Sequence, residues 1–405
     1  MVSHRVLCWD CGAVIEDPFV SVCPKCKGLL TVKMDLEKVK EKSPEDLRKT
    51  PIGVWRYSDF MPVDASKKVS IQEGGTPLYD TKALAEIVGV KGMHVKFEGL
   101  NPTGSFKDRG MTIGVTRAKE LGAEIVGCAS TGNTSASLAA YAAKAGMKCA
   151  VFLPSGKVAA GKLAQALFYG AKVLSIDGNF DDALALARKM SEQKKLYLLN
   201  SINPYRPEGQ KSVLFEIMDQ LNYNIPDRIV LPVGNAANIW AVYKALTELE
   251  EVGWIDRMPM LTGIQAEGSA PVARAFDEEK KDFIPVENPE TIATAIRIGN
   301  PVSGRKALAA IYNTGGYSET VSDEEIIAAQ KLTARKEGVF VEPASAASVA
   351  GIIKLRNMGI IDRDETVVAI CTGNGLKDPE TAVKYSNPPI KCANSVEAVN
   401  KILSD

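Results

Sequence analysis

Several things are scarce in this chain of 405 residues, and each scarcity removes a class of function. Only two histidines are present, His4 and His94, which leaves a Ser-His-Asp relay without a base and disfavours hydrolysis of that type. Net charge is absent, because 49 Lys and Arg balance 49 Asp and Glu. No field of one sign therefore draws the protein to nucleic acid or to an anionic membrane, although a small anion can still be held locally. No apolar run approaches the ~18 residues that a membrane span needs, and Met1 to Asp10 lacks the basic-then-apolar layout of a secretion signal. These absences predict a cytoplasmic protein with neither a nucleic-acid nor a membrane partner. Also missing are the Gly-Lys-Ser/Thr of a P-loop and a Gly-x-Gly-x-x-Gly turn after any predicted strand, so the usual nucleotide cradles are excluded.

What is there begins with an ordinary balance, 45% apolar and 24% charged, the composition of a folded globular chain. The length exceeds what one core usually supports, so two large lobes with small extras are expected.

The eight cysteines divide into two kinds. Cys128, Cys149, Cys371 and Cys392 are scattered through apolar surroundings, whereas Cys8 and Cys11, then Cys23 and Cys26, form two Cys-x-x-Cys pairs separated by eleven residues. That spacing lets two tight turns present four thiolates to one tetrahedral ion, as in a zinc ribbon. Below ~40 residues a unit cannot bury enough apolar area to hold itself together, so residues 1–33 should owe their order to metal. Four thiolates leave no position for water, which favours a structural over a catalytic zinc. The ribbon could be a cap on a larger body, a nucleic-acid-binding module or a site that has lost its ion. The mixed local charge and the lack of a basic-aromatic stripe favour the cap, and retention of all four cysteines speaks against loss.

Beyond a charged segment at 35–48, expected to be helical, short β-branched runs alternate with alanine-rich amphipathic stretches. Strands are predicted at 95–97, 125–129, 148–153, 172–176, 229–233, 261–266 and 367–371. Helical stretches of ten to twenty residues lie between most of them. The expected class is α/β, with parallel sheets flanked by helices. Residues 278–289 read as an exposed polar loop. Sheets of this kind bind ligands beyond the carboxyl ends of their strands, and four such ends carry distinctive residues.

The first is Asn101-Pro102-Thr103-Gly104-Ser105-Phe106-Lys107-Asp108-Arg109-Gly110. Pro102 and Gly104 mark a turn, and Ser105 with Asp108 is predicted to form a capping box that starts a helix. Lys107 then falls in the first helical turn, where the dipole disfavours an ammonium. A lysine with a lowered pKa is what Schiff-base chemistry requires, although a helix-start lysine taken alone can simply point to solvent. The second is Ser130-Thr131-Gly132-Asn133-Thr134-Ser135, more small polar residues than one N-cap needs and suited to a carboxylate. The third, Gly234-Asn235-Ala236-Ala237-Asn238, lets backbone approach a phosphate at a helix start. The fourth is Thr372-Gly373-Asn374-Gly375. A lysine, a carboxylate cradle, a phosphate cradle and a hydroxyl match the needs of a phosphorylated aldehyde cofactor and an amino-acid substrate.

These residues resemble the fold type II pyridoxal-phosphate enzymes, and within them the threonine synthase family. The resemblance runs from Gly74-Gly75-Thr76-Pro77-Leu78 to Asp378-Pro379 and includes 98–110, 130–133, 200–206, 232–239, 295–301, 342–347 and 372–378. The cysteine knuckle resembles an extension of some archaeal members. The resemblance implies a two-lobed, tryptophan synthase β-like catalytic region at 34–405, with a small lobe near 100–205 and the large lobe in the remainder. It implies that Lys107 carries pyridoxal 5'-phosphate as a Schiff base and that Asn133 bonds the ring hydroxyl. Gly234, Asn235, Ala236, Ala237 and Asn238 would hold the cofactor phosphate, and Thr372 would face the pyridine nitrogen. Ser130, Thr131 and Thr134 would bind the amino-acid end of the substrate, while Ser201, Arg206 and Asn235 would bind its phosphate. A planar guanidinium suits that last task, though Arg206 could also be a surface residue at a helix start.

The implied reaction is γ-elimination of phosphate from O-phosphohomoserine and β-addition of water to give threonine, in a homodimer. Two positions depart from the family pattern, Ala237 where glycine is usual and Asn374 where histidine is usual. Alanine should be tolerated if the backbone there is helical. The rival readings are a cysteate synthase acting on O-phosphoserine and sulfite, a threonine or serine dehydratase with no substrate phosphate, and a non-catalytic zinc-ribbon protein that binds nucleic acid.

Overall fold

The structure is a computed structural model that describes residues 3–155, 160–178 and 180–404; residues 1 and 2 of the expected knuckle lie outside them. Two short strands come first, β1 (His4–Cys8) and β2 (Leu30–Met34), paired antiparallel. Ten more follow: β3 (Leu78–Asp80), β4 (Gly92–Phe97), β5 (Ile125–Ala129), β6 (Lys148–Pro154), β7 (Lys172–Ile176), β8 (Tyr197–Leu198), β9 (Arg228–Pro232), β10 (Met260–Ala266), β11 (Tyr317–Val321) and β12 (Thr366–Cys371). They form a six-stranded sheet in the order β11-β10-β9-β12-β4-β3 and a four-stranded sheet in the order β7-β6-β5-β8. Every pair in the two large sheets is parallel except β3 with β4. The α/β class read from the alternating pattern is therefore the observed one.

The central strands are continuous apolar runs because both of their faces are covered. In β9 and β12, Ile229, Leu231, Val368 and Ile370 pack into one core while Val230, Val367, Ala369 and Cys371 pack into the other. Strand side chains alternate in direction, so a single short run supplies both cores. The four-stranded sheet does the same, with Val126, Cys128, Val151 and Leu153 on one face and Ala129 and Phe152 on the other.

All seven predicted strands form, most of them within a residue of the expected ends. Five others were missed: β1, β2, β3, β8 and β11. Both β3 and β11 are edge strands of mixed polarity, and β8 spans two residues, too short to show a period. The charged 35–48 segment is helical only in two single turns, Glu37–Lys40 and Pro44–Leu47, where Ser43 and Asp46 make a reciprocal cap. No helix or strand forms in 278–289, as expected. Among the described residues no helix is long and apolar enough to cross a membrane.

Candidate active site

Strands β4, β12 and β9 are adjacent and parallel, so the turns that follow them emerge side by side at one sheet edge. The turn after β5 faces them from the other sheet. Together they line a cavity of about 920 Å3. Lys107, Ser130, Thr131, Asn133, Thr134, Ser201, Gly234, Asn235, Ala236, Ala237, Asn238 and Thr372 all line it. Arg206 does not, but lies behind the wall.

Lys107 is half-buried and opens the Lys107–Glu120 helix. Burial, and after it the nearby Arg206 guanidinium, bring its amine down to about 7 against the opposing pull of Glu342. The predicted capping box does not form. The helix is capped at Phe106 without a side-chain bond, and the Ser105 hydroxyl has no partner among the described residues. Asp108 is drawn elsewhere, accepting from Thr103 N and Thr103 Oγ1 at 2.7 Å each and from Ser137 Oγ at 2.5 Å. Three donors from two different segments outweigh one local cap. The result ties the turn before Lys107 to the Asn133–Ala145 helix.

The Ala237–Glu251 helix begins at the predicted phosphate turn. A Cβ on Gly234 would stand 3.1 Å from both Ala295 O and Ile296 Cα, a tight contact that a side chain could take only by pushing that backbone aside by a few tenths of an ångström. Ala236 adopts a left-handed conformation at φ 66°, unfavourable for a residue with a side chain and typical of a turn held for a purpose. Ala237 is the first helical residue, so its extra methyl causes no backbone conflict. Both side-chain polar atoms of Asn238 are buried and without partners among the described residues. Asn235 spends its Oδ1 on Val302 N at 3.3 Å and its backbone oxygen on Ser303 N at 3.1 Å.

Arg206 sits on the short Tyr205–Gln210 helix, is 1% exposed, and none of its three guanidinium nitrogens has a hydrogen-bond partner among the described residues. Its neighbour Arg109 is equally buried but saturated by Glu98 at 2.5 Å and Glu216 at 2.7 Å. A buried guanidinium is costly unless an anion completes it.

A lysine amine near neutrality, a helix start built from small residues around Gly234, and an unsatisfied Asn238 beside it fit an aldehyde cofactor with an anionic tail. Residues 69–373 match the family described as pyridoxal-phosphate dependent enzyme. A threonine synthase of Methanocaldococcus jannaschii is 59% identical over 401 residues, covering 98% of this chain and 99% of the relative. The chain belongs to the threonine synthase family of pyridoxal-phosphate-dependent enzymes. Another threonine synthase, from Mycobacterium bovis, is 54% identical over 81% of the chain and 89% of its own length. The fold is shared more widely. A threonine deaminase of Solanum lycopersicum superposes with a TM-score of 0.67 at 20% identity, covering 83% of this chain and 90% of that one.

Reasoning from sequence alone overlooked several residues that this threonine synthase family member brings to the cavity. Glu342 falls within the 342–347 stretch, to which no role is given from sequence, yet its carboxylate lies between Asn133 and Thr372. Lys377 reaches across from the turn after β12, donating to Thr103 O at 3.1 Å and to Gln165 Oε1 on the Ala160–Phe168 helix. Asn200 fixes the end of β5. A charged residue six places beyond the end of β12 was the available signal for Lys377, but nothing local gives a long-range partner.

At the other end of the chain, the thiol sulfurs of Cys8, Cys11, Cys23 and Cys26 lie within 4.8 Å of one another. The knuckle's own core is small, with Cys8, Cys23 and Leu30 as its buried members. It grips the catalytic body through Asp10 and Arg305 at 2.7 Å and through Lys306 Nζ donating to Leu30 O at 2.9 Å.

Proposed function

We propose that the chain converts O-phosphohomoserine and water into threonine and phosphate. The observation that carries this reading is Arg206, a guanidinium 1% exposed behind the cavity wall with no hydrogen-bond partner among the described residues, which a phosphate reaches only if that wall yields on binding. A substrate phosphate is the anion that would satisfy it, because the planar fork binds two phosphate oxygens at once. A dehydratase substrate brings no such group and would leave the charge stranded.

When bound, pyridoxal phosphate supplies an electron sink that makes protons at the substrate's α- and β-carbons removable. Lys107 is proposed to carry the cofactor, and its Nζ, poised near neutrality, can take the α- and β-protons and, once phosphate has left the γ-carbon, return protons at the γ- and α-carbons. Asn133 is proposed to bond the ring hydroxyl, Thr372 to meet the pyridine nitrogen, and the backbone from Gly234 to Asn238 to hold the cofactor phosphate. Ser130, Thr131 and Thr134 then hold the substrate carboxylate at the start of the Asn133–Ala145 helix, where free N–H groups favour an anion. Ser201, Arg206 and Asn235 grip the leaving phosphate. Water adds at the β-carbon, and the product leaves as threonine.

The reading extends to a structural zinc held by the four N-terminal cysteines, supported by the sulfur cluster. It also includes a knuckle at residues 1–33, a catalytic region of two lobes at 34–405, and a cytoplasmic homodimer. The assay that tests the reaction compares phosphate release from O-phosphohomoserine with release from O-phosphoserine plus sulfite, and identifies the products. Threonine from the first is expected. Cysteate from the second would transfer the assignment to that rival, and ammonia release untouched by Arg206→Ala would transfer it to a dehydratase.

A further inference from the structure

Glu342 has no part in the chemistry proposed above, yet it occupies the centre of the site. It caps the start of the Pro343–Asn357 helix, is 5% exposed, and lines the cavity. Asn133 Nδ2 donates to its two carboxylate oxygens at 3.1 and 3.4 Å, and Thr372 Oγ1 donates to it at 3.4 Å. Asn133 follows β5 in one sheet and Thr372 follows β12 in the other. Glu342 is thus the group through which the two proposed ring contacts are joined.

The local backbone makes room for that carboxylate, since a Cβ on Gly373 would come within 2.6 Å of it. Burial pushes the Glu342 carboxyl above the usual range, and the Asn133 amide, Lys377 and Lys107 oppose that rise by favouring the ionised form. Asn374, at the position where histidine is usual, also lines the cavity, but both ends of its amide are engaged, one within its own turn and one on the turn after β4. It accepts from Leu376 N at 3.0 Å and donates to Gly99 O at 3.3 Å.

An asparagine amide offers two N–H donors at one end and a carbonyl oxygen at the other, whereas an ionised carboxylate can only accept. The Nδ2 end of Asn133 faces Glu342, the orientation that the ionised carboxylate enforces. One N–H is used there, and the second is left pointing in a fixed direction. We propose that Glu342 is a positioning residue, which orients the Asn133 amide so that a donor, and not the carbonyl oxygen, meets the hydroxyl oxygen of the cofactor ring. A donor at that oxygen stabilises its anionic form, and so sets the pH at which the lysine-bound cofactor loses its proton. The inference deepens the proposed function and rests on its placement of Asn133.

The test is the absorbance of cofactor-loaded protein without substrate, followed across pH. Glu342→Gln keeps an acceptor oxygen and Glu342→Met keeps the bulk without one. Both remove the charge, so the difference between them reports the amide alone. The midpoint in Glu342→Met is expected to lie about one pH unit above that in Glu342→Gln, the effect of one hydrogen bond to a charged atom. In an Asn133→Ala background the two should coincide. Equal midpoints with Asn133 present, or a difference that survives Asn133→Ala, would overturn the proposal. Should the methionine variant fail to fold, Glu342→Ala takes its place with the same expected outcomes. Wild-type protein with no cofactor band would instead bring down the reading of the site, and this proposal with it.

Discussion

Asn200 and Ala129 exchange two hydrogen bonds of 2.9 Å, the side-chain amide of one pairing with both backbone groups of the other. The contact fastens the turn that carries Ser201 to the end of the strand that leads into Ser130. The proposed carboxylate and phosphate subsites would thereby be held at a set spacing. Ala129 is 2% exposed, so Asn200→Ala leaves its N–H and C=O without water or partner, at a cost of about 1–3 kcal/mol. Denaturant titration should show that loss, and steady-state kinetics should show KM raised roughly tenfold with a smaller change in kcat. Unchanged KM would mean that the two subsites are set independently.

Arg206 leads to a prediction with opposite signs for stability and activity. Replacing an unpaired buried cation with an apolar chain of similar length removes a desolvation penalty. Arg206→Met should therefore stabilise the ligand-free protein by about 1–4 kcal/mol, read as a higher thermal midpoint. The same variant should lose roughly a hundredfold or more in kcat/KM for a phosphorylated substrate. A variant that both melts lower and keeps its activity would show that the guanidinium serves packing alone.

The Lys107 amine, lowered from its ordinary 10.5 to about 7, makes stability depend on pH in a definite direction. Between those two values an unfolded chain holds a proton that the folded chain lacks, so folding is disfavoured by protonation and stability rises with pH across the window. The destabilising contribution is complete below about 7 and gone above 10.5. Unfolding measured on cofactor-free protein should show the gap between wild type and Lys107→Met changing over that range in favour of wild type. A gap that stays constant would contradict the depressed amine.

Metal removal should be felt at the anion site. Lys244, on the helix that starts at the phosphate turn, donates to Val32 O of the knuckle strand at 2.5 Å. The Gly304–Asn313 helix carries Arg305 and Lys306 against the knuckle, while Ser303 at its start bonds Asn235 O at 3.1 Å. Chelation, or Cys8→Ser with Cys23→Ser, should release bound zinc as judged by mass spectrometry. Cofactor affinity should weaken about tenfold, a typical size for coupling between sites. Undiminished affinity in metal-free protein would make the knuckle an isolated cap.

Most residues that line the candidate site are legible in the sequence because they follow strands. A continuous apolar run such as Ile229–Pro232, bounded by Gly234 and an alanine-rich helix, announces a buried parallel strand and a ligand turn within a dozen residues. The same logic located Lys107, Ser130 and Thr372. It failed where two local signals competed with distant ones, as at Ser105 and Asp108, whose cap is overridden by Thr103 and Ser137. Edge strands such as Leu78–Asp80 escaped notice because a half-covered strand carries no strong pattern.

Sequence alone determined the strand-helix alternation, the four thiols and the order of the polar turns, because burial, metal spacing and turn chemistry act over a few neighbouring residues. Only the tertiary structure decided that Arg206 would be left unpaired, that Glu342 would join Asn133 to Thr372, and that the knuckle would bear on the helix behind the phosphate turn. Those outcomes depend on which segments meet across two sheets, and a hydrogen bond spanning 209 positions leaves no trace in the local pattern at either end.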